Sequence, residues 1–360
     1  MTYYIGLDVS KKETAFCVVN QEGGVVREDK VETNAGILAI VLKEYRETTK
    51  IVGIEAGPYS RSLTLGLRAH GYNVVIVDSR RMGFLLKANI NKTDRNDARV
   101  IAKAMRAENY REVHVKSDKS VEMMGFLGAR ECIVEVSIKL KNELRGLFRA
   151  YGVNLKSGEE SFRKEVKKEL KNLPELARVG IESLLKTWIN LSEERAKLDK
   201  LVEEEADHDD DTKLLMTIPG VGPVTALTFK TVIDDPSRFE NSRTVGAYVG
   251  CTPTQYASGE TVIQGRISRQ GPKQLRRLLV GSAIVLLTRC SWWSHLRASG
   301  VKKMKKLGTK KAAVAVGRKL AIIMHRMLIT KEPFRVKDPF AALEPKKGKK
   351  HKASKTKNVA

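Results

Sequence analysis

The sequence predicts a multidomain chain, α/β at its N-terminus and α-helical thereafter, and three observations carry that prediction. Short apolar runs alternate with turn signals over the first 78 residues, in a strand-and-helix order. From Asp94 onward apolar residues recur at spacings of three and four, the period of amphipathic helices. And 360 residues at 42% hydrophobic make two or three packed cores rather than one.

Tyr3-Tyr4-Ile5-Gly6-Leu7-Asp8-Val9 reads as a buried strand and Thr14 to Val19 as a second. Gln21-Glu22-Gly23-Gly24 supplies a turn into a third, Val25 to Val31. Asn34 stands where it caps a helix running through Ile37, Leu38, Ile40, Val41 and Leu42 to Tyr45. Ile51 to Glu55 is a fourth strand, Ser60 to His70 a helix and Asn73 to Val77 a fifth strand. Three meandering strands followed by α-β-α-β is the order of a ribonuclease-H-like domain, which we place at residues 1–115.

Residues 116–206 are expected to form long helices, an antiparallel or dimeric coiled coil built on Ile133, Val136, Ile138, Leu140, Leu144, Leu147, Ile181, Leu184, Leu185, Trp188, Ile189 and Leu191. The run Glu203-Glu204-Glu205-Ala206-Asp207-His208-Asp209-Asp210-Asp211 reads as a solvated acidic linker rather than a metal cluster. A mostly helical unit is expected over 207–335. It opens on Ile218-Pro219-Gly220-Val221-Gly222-Pro223, which has the shape of a helix-hairpin-helix turn, and is completed by Trp292-Trp293 and basic helices. Gly220 and Gly222 would let backbone N–H groups approach a phosphate there. Residues 336–360, with seven lysines after Pro345, are expected to be a disordered basic tail.

The charge balance narrows the function classes. Lys+Arg 66 against Asp+Glu 42 leaves a formal charge of +24, which favours a polyanionic partner. Between Thr261 and Lys331 there are 17 Lys and Arg and no Asp or Glu, whereas an ordinary solvated face mixes signs. No apolar stretch is long enough for a transmembrane helix, and the N-terminus runs into a strand rather than a signal peptide. Cys17, Cys132, Cys251 and Cys290 are scattered, which suits a reducing cytoplasm and not a disulfide framework or zinc site. The expectation is a cytoplasmic, nucleoid-associated protein with no membrane partner.

Four acids stand out. Asp8 lies inside an apolar strand and Glu55 ends another, positions where a carboxylate is expensive to bury unless paired or metal-bound. Asp94 and Asp97 sit at i and i+3, on one face at the start of a helix. Taken singly, Asp8 also reads as a strand-end turn residue and Asp94 as a helix cap. Together, on three elements of an α/β domain, they are what two hard cations about 4 Å apart require.

These residues carry a resemblance. Tyr4-Ile5-Gly6-Leu7-Asp8-Val9-Ser10-Lys11, Gly53-Ile54-Glu55-Ala56, Lys92-Thr93-Asp94-Arg95-Asn96-Asp97-Ala98, Gly250-Cys251-Thr252-Pro253 and the block from Ser258 to Arg276 resemble the DEDD transposases of the insertion sequence 110 family, relatives of the Piv/MooV invertases. The resemblance spans nearly the whole chain. It implies a RuvC-like first domain in which Asp8, Glu55, Asp94 and Asp97 bind Mg²⁺, and a C-terminal domain in which Ser258 is the nucleophile. It also implies a guide non-coding RNA beside the DNA of element ends and target, and a homo-oligomer, dimer or tetramer, in which one subunit's acids meet another's Ser258. From composition alone Ser258-Gly259 is a turn, and Ser268, also in a basic Gly-flanked segment, is its rival. Ser258 is expected in a loop before a basic helix. Arg266, Arg269, Lys273, Arg276 and Arg277 are the nearby candidates for phosphate contact. Two alternatives stay open: a DEDD nuclease or Holliday-junction resolvase using water, and an architectural DNA-binding protein without catalysis.

Overall fold

The computed structural model describes residues 1–87, 93–259, 261–291 and 294–335. The expected Trp292-Trp293 pair, the basic tail at 336–360 and Lys92 of the acid motif lie outside the described residues. The chain divides into two compact units, one of Met1–Lys116 and one beginning at Ser117.

The first unit is a mixed sheet between two helical layers. Its strands are β1 (Tyr3–Val9), β2 (Glu13–Val19), β3 (Val25–Glu32), β4 (Thr49–Glu55), β5 (Val74–Val77) and the two-residue β6 (Glu112–Val113), in the order β3-β2-β1-β4-β5-β6. β1, β4 and β5 run parallel; β2, β3 and β6 are antiparallel to their neighbours. Alternation along each strand sends Ile5, Leu7, Phe16, Val18, Val52, Ile54 and Val74 to one face. There they meet Leu38 of α1 (Ala35–Val41) and Leu63 and Leu67 of α2 (Ser60–Ala69). Tyr4, Ala15, Cys17, Val19, Ile51, Val75 and Val77 point the other way. They pack against Met82 of α3 (Ser79–Lys87) and against Ala98, Ile101, Ala102 and Met105 of α4 (Asp94–Arg106).

The contact of α4 with the sheet is unusually close. A Cβ added at Gly6 would lie 2.2 Å from the Ala98 carbonyl oxygen and 2.3 Å from the Ala102 nitrogen. Gly53, paired with Gly6 in the β1–β4 register, would put one 2.6 Å from Met105 Sδ. The helix backbone therefore rests directly on β1 at Gly6, and the Met105 and Ile101 side chains fill the space over Gly53 on β4.

The N-terminal elements follow the expected order, with local differences. The helix capped by Asn34 ends at Val41 and tightens into a 3-10 turn over Lys43–Thr48 that buries Tyr45. α3 and β6, which have weak local patterns, are additions.

In the second unit α5 (Asp118–Ala150) and α7 (Glu175–Asp207) are 33 residues each, about 50 Å long. They lie antiparallel: Leu127 packs with Val202 and Ala206, Arg130 pairs with Asp199, and Leu144 and Phe148 share a core with Ile181 and Leu185. α6 (Glu159–Glu169) closes that end through Phe162 and Val166, with Phe162 edge-on to Trp188. The expected acidic linker is not a linker. Glu203 to Asp207 continue α7, and Asp209 caps α8 (Asp210–Met216) by accepting from the Thr212 N–H. Lys230 pairs with Asp209 and Asp211, and Lys331 with Asp211 at 2.5 Å, so distant lysines hold two of its acids while Glu203, Glu204, Glu205, Asp207 and Asp210 stay exposed.

The rest comprises α9 (Pro223–Ile233), α10 (Ser242–Tyr248), the hairpin β7 (Pro253–Ser258) and β8 (Thr261–Ile267), α11 (Lys273–Thr288), α12 (His295–Leu307) and α13 (Thr309–Thr330). Leu275, Leu279, Leu286, Val316, Leu320 and Met324 form its core with Ile218, Val221 and Phe229. The unit is mostly helical, as expected, and the hairpin corrects the expectation of a loop at Ser258, which ends β7. No helix among the described residues is long and apolar enough to cross a membrane.

Gly6→Ala forces a methyl group into helix backbone and is expected to destabilise the protein by at least about 2 kcal/mol. Gly125→Ala on α5, where nothing lies within 4 Å of the added carbon, should instead stabilise it by about 0.5–1 kcal/mol. Urea unfolding of both variants checks the contrast; equal effects would remove the close approach as its cause.

Candidate functional site

The sheet register assembles the acids. Asp8 and Glu55 follow directly on the paired residues Leu7 and Ile54, so they stand side by side at the C-terminal ends of β1 and β4. Alternation turns both toward the face that α4 covers, since Gly6 and Gly53 two residues earlier lie beneath that helix. Both are half-buried. α4 runs antiparallel to β1, which brings its first turn over the same end. Thr93 caps it by accepting from the Asn96 N–H; Asp94 is exposed and Asp97 is buried to 6% exposure. Two carboxylates in a first turn also suit the positive end of the helix dipole.

A row of charged contacts ties α4 to the edge strand β3. Lys30 Nζ donates to Asp94 Oδ2 at 2.5 Å. One step on, Arg99 forms a two-pronged pair with Glu28 at 2.6 and 2.8 Å. At the far end Arg106 donates to the Gln21 carbonyl at 3.1 Å. The Arg99 guanidinium holds the Glu28 carboxyl below the usual glutamate range, and hydrogen bonding to Asp94 raises the Lys30 ammonium. Burial, with Glu28 beside it, pushes the Cys17 thiol up to about 12, so this cysteine is inert packing.

Carboxylate oxygens are the donor chemistry a hard divalent cation takes. All four acids gather at one edge of the sheet, yet among the described residues no three Asp, Glu, His or Cys side chains converge closely enough to hold a metal ion. Lys30, Glu28 and Arg99 went unnoticed in the sequence because a charged edge strand is ordinary, and only the register reveals what they face.

The serine candidates occupy the β7–β8 hairpin. Ser258, exposed, ends β7 and pairs with Thr261, on the same face as the paired Tyr256 and Ile263. Neither face of the ribbon is covered: Tyr256 is 71% exposed, Val262 57% and Ile263 59%. Ser268 sits instead at the ribbon's base, half-buried, where its N–H donates to the Thr252 carbonyl at 2.8 Å.

The basic candidates divide in the same way. Arg266, Arg269 and Lys273 are exposed. Arg276 donates to the Val249 carbonyl at 3.2 Å and braces the hairpin's base, while Arg277 is paired with Glu131 and Glu135 of α5. Gly220, at φ +89°, presses on α11: an added Cβ would lie 2.7 Å from the Ser282 carbonyl oxygen. Gly222, the N-cap of α9, faces open space.

Comparison with known proteins places these features. Residues 5–153 match the transposase profile of the DEDD IS110 type, and residues 212–299 match the profile described as transposase IS116/IS110/IS902 family. The chain carries the domains of an IS110-family transposase. Over 338 residues it is 26% identical to the transposase for insertion sequence element IS1111A of Coxiella burnetii, covering 92% of this chain and 91% of that protein. It is 26% identical over 276 residues to the transposase for element IS1328 of Yersinia enterocolitica, covering 76% and 82%. A pilin gene-inverting protein of Moraxella lacunata matches at 25% over 348 residues, covering 92% and 97%. Asp8, Glu55, Asp94 and Asp97 fall within the first matched region and Ser258 within the second.

The Glu28–Arg99 pair makes a pH prediction. Because the folded Glu28 pKa is depressed, its stabilisation is fully present above the ordinary glutamate value of about 4.3 and is lost as pH falls through the folded value. Glu28→Gln should therefore be less stable than the parent at pH 7, and the gap should close in acid. A gap constant from pH 7 to pH 3 in thermal unfolding would contradict this.

Proposed function

We propose that this transposase cuts and rejoins the DNA of a mobile element by combining a Mg²⁺-binding site of Asp8, Glu55, Asp94 and Asp97 with a serine nucleophile, Ser258. The support for the reading is that the four acids come from the C-terminal ends of the neighbouring parallel strands β1 and β4 and from the first turn of α4, which covers that face of the sheet. Bound there, Mg²⁺ supplies charge neutralisation at phosphate oxygens.

The chain's own groups account for the remaining chemistry. The Ser258 oxygen forms a bond to phosphorus and gives up its proton to a basic group. The bridging P–O bond breaks and the leaving oxygen takes a proton. The phosphoserine link keeps the bond energy, so attack by a new strand's hydroxyl restores Ser258 and rejoins DNA without an external energy source. Exposure at the ribbon tip favours Ser258 over Ser268, whose backbone holds the base of the ribbon together. Arg266, Arg269 and Lys273 are placed to bind the phosphates flanking the attack.

A guide RNA and an oligomeric working form belong to the same proposal. The support for an RNA partner is the excess of positive charge without interleaved aromatics: 17 Lys and Arg over Thr261–Lys331, against 6% aromatic residues in the whole chain. Exposed apolar residues on the long helices, Val136 and Ile138 on α5 and Val179 on α7, favour self-association. The competing reading is a DEDD nuclease that hydrolyses with water and has no use for Ser258.

Trapping on a nicked element-end substrate separates the two. Wild-type protein should form a covalent adduct that survives denaturing gels, and Ser258→Ala should lose it with nucleic-acid binding retained. Asp97→Asn should abolish cleavage and leave affinity equal or improved. Cleavage undiminished in Ser258→Ala would support the nuclease, and an adduct that disappears only in Ser268→Ala would move the nucleophile by ten residues.

A further inference from the structure

Phe84 on α3 is 79% exposed, and among the described residues no Phe, Tyr or Trp side chain is more so. The core does not need it. α3 already buries Met82, with Leu85 and Leu86 packed against the same core. At about 100° per residue Phe84 lies about 200° from Met82, on the outer side of the helix. Arg80 and Lys87, four residues before it and three after, fall with it in an arc of about 60°. Both are exposed, and among the described residues neither side chain takes a hydrogen bond or an ion pair. Arg81, by contrast, is held by Asn109 Oδ1 at 2.6 Å.

α3 contains no Asp or Glu. The acid that precedes it, Asp78, is turned back on the helix and accepts from the Arg80 N–H at 2.8 Å. An aromatic ring between two cations on an acid-free face suits nucleic acid: the cations meet phosphates and the ring meets a base. That base has to be unpaired. In a duplex each base is stacked on its neighbours and turns only its edges outward, whereas a free strand offers the flat face that a ring covers. The location fits a strand that is being processed. β5 ends beside β4, with Val77 paired to Glu55, and α3 begins two residues later. Phe84 thus stands about 8 Å along the helix axis from its start at that end of the sheet.

We propose that Arg80, Phe84 and Lys87 form a docking surface for a single DNA strand, with Phe84 stacked on one base and the two cations on the phosphates around it. A strand that has been cut and not yet rejoined is unpaired, and a protein that performs both steps has to keep hold of it. The inference rests on the reading that this chain cuts and rejoins DNA. It needs neither the acid site nor Ser258, and no covalent bond changes. Because every base has a face that stacks, the surface holds a strand without selecting its sequence.

The test is binding of the full-length protein to a short dye-labelled DNA strand and to the same sequence as a duplex, read by fluorescence anisotropy over a range of salt. Phe84→Ala should weaken single-strand binding about five- to tenfold and duplex binding less than about twofold. Phe84→Trp should bind the strand at least as tightly as wild type, and the indole emission it adds should be quenched by the strand. Arg80→Gln combined with Lys87→Gln should lower the single-strand salt slope by about 1.4, two phosphates at about 0.7 each, and an unchanged slope overturns the part given to the cations. Phe84→Leu separates stacking from simple apolar contact: it should bind the strand as weakly as Phe84→Ala, and wild-type affinity there overturns the proposal. Unchanged single-strand binding in Phe84→Ala overturns it too, as does an equal loss on strand and duplex or a loss seen only with an RNA strand. If the wild-type protein binds neither DNA probe, the DNA reading fails and this inference fails with it.

Discussion

The distance between one helix and one sheet governs the acid-rich end of this protein. Two glycines side by side on adjacent parallel strands, Gly6 and Gly53, let α4 come close: helix backbone meets Gly6, and the Met105 and Ile101 side chains fill the space over Gly53. The helix backbone settles against β1, and its axis is aimed so that its first turn overhangs the ends of β1 and β4. Asp8 and Glu55 lie two residues beyond those glycines, and Asp94 and Asp97 lie in that first turn. A larger residue at Gly6 would press on helix backbone, lift the helix and part the acids, with no change to any of them.

Charge then does what packing alone does not. The contacts with β3 and the turn before it add to the packing of Ala98, Ile101, Ala102 and Met105 in holding the helix along the sheet. Individually such pairs are weak, with exposed ones worth about 0.2–1 kcal/mol. Their value is in register: Lys30, Glu28 and Gln21 meet Asp94, Arg99 and Arg106 in order, and a shift of one helical turn would mismatch every partner. The helical unit uses the same device where Lys230 and Lys331 gather Asp209 and Asp211.

How much of this was legible in the sequence depended on whether the decisive neighbours were local. Strands such as Tyr3–Val9 and the helix from Asp94 announced themselves through alternation and capping, Asp8 and Glu55 through the oddity of charge in apolar strands, and Asp94 and Asp97 through their spacing at a helix start. Interactions across the chain were invisible. The Glu203–Asp211 run looked like solvated linker because its lysine partners are about 20 and 120 residues away. Gly220 looked like a phosphate turn, and the structure gives it a packing role against α11. The β7–β8 ribbon escaped notice because its residues cover no core: with both faces exposed it lacks the polar–apolar alternation that marks a strand. A two-stranded ribbon of this kind is marginal alone, which is in keeping with a partner surface closing over it.

In the function proposed above, β1, β4 and the start of α4 form one cation site. Iron(II) bound in place of magnesium, with ascorbate and peroxide, generates hydroxyl radicals that cut the polypeptide within a few ångströms of the ion. Mapping those cuts by mass spectrometry tests the claim most directly. The account predicts three clusters of cuts, around Asp8, around Glu55 and around Asp94 to Asp97, all suppressed by excess Mg²⁺ and all lost together in Asp97→Asn. Cuts confined to one of the three segments, or scattered without regard to Mg²⁺, would contradict it.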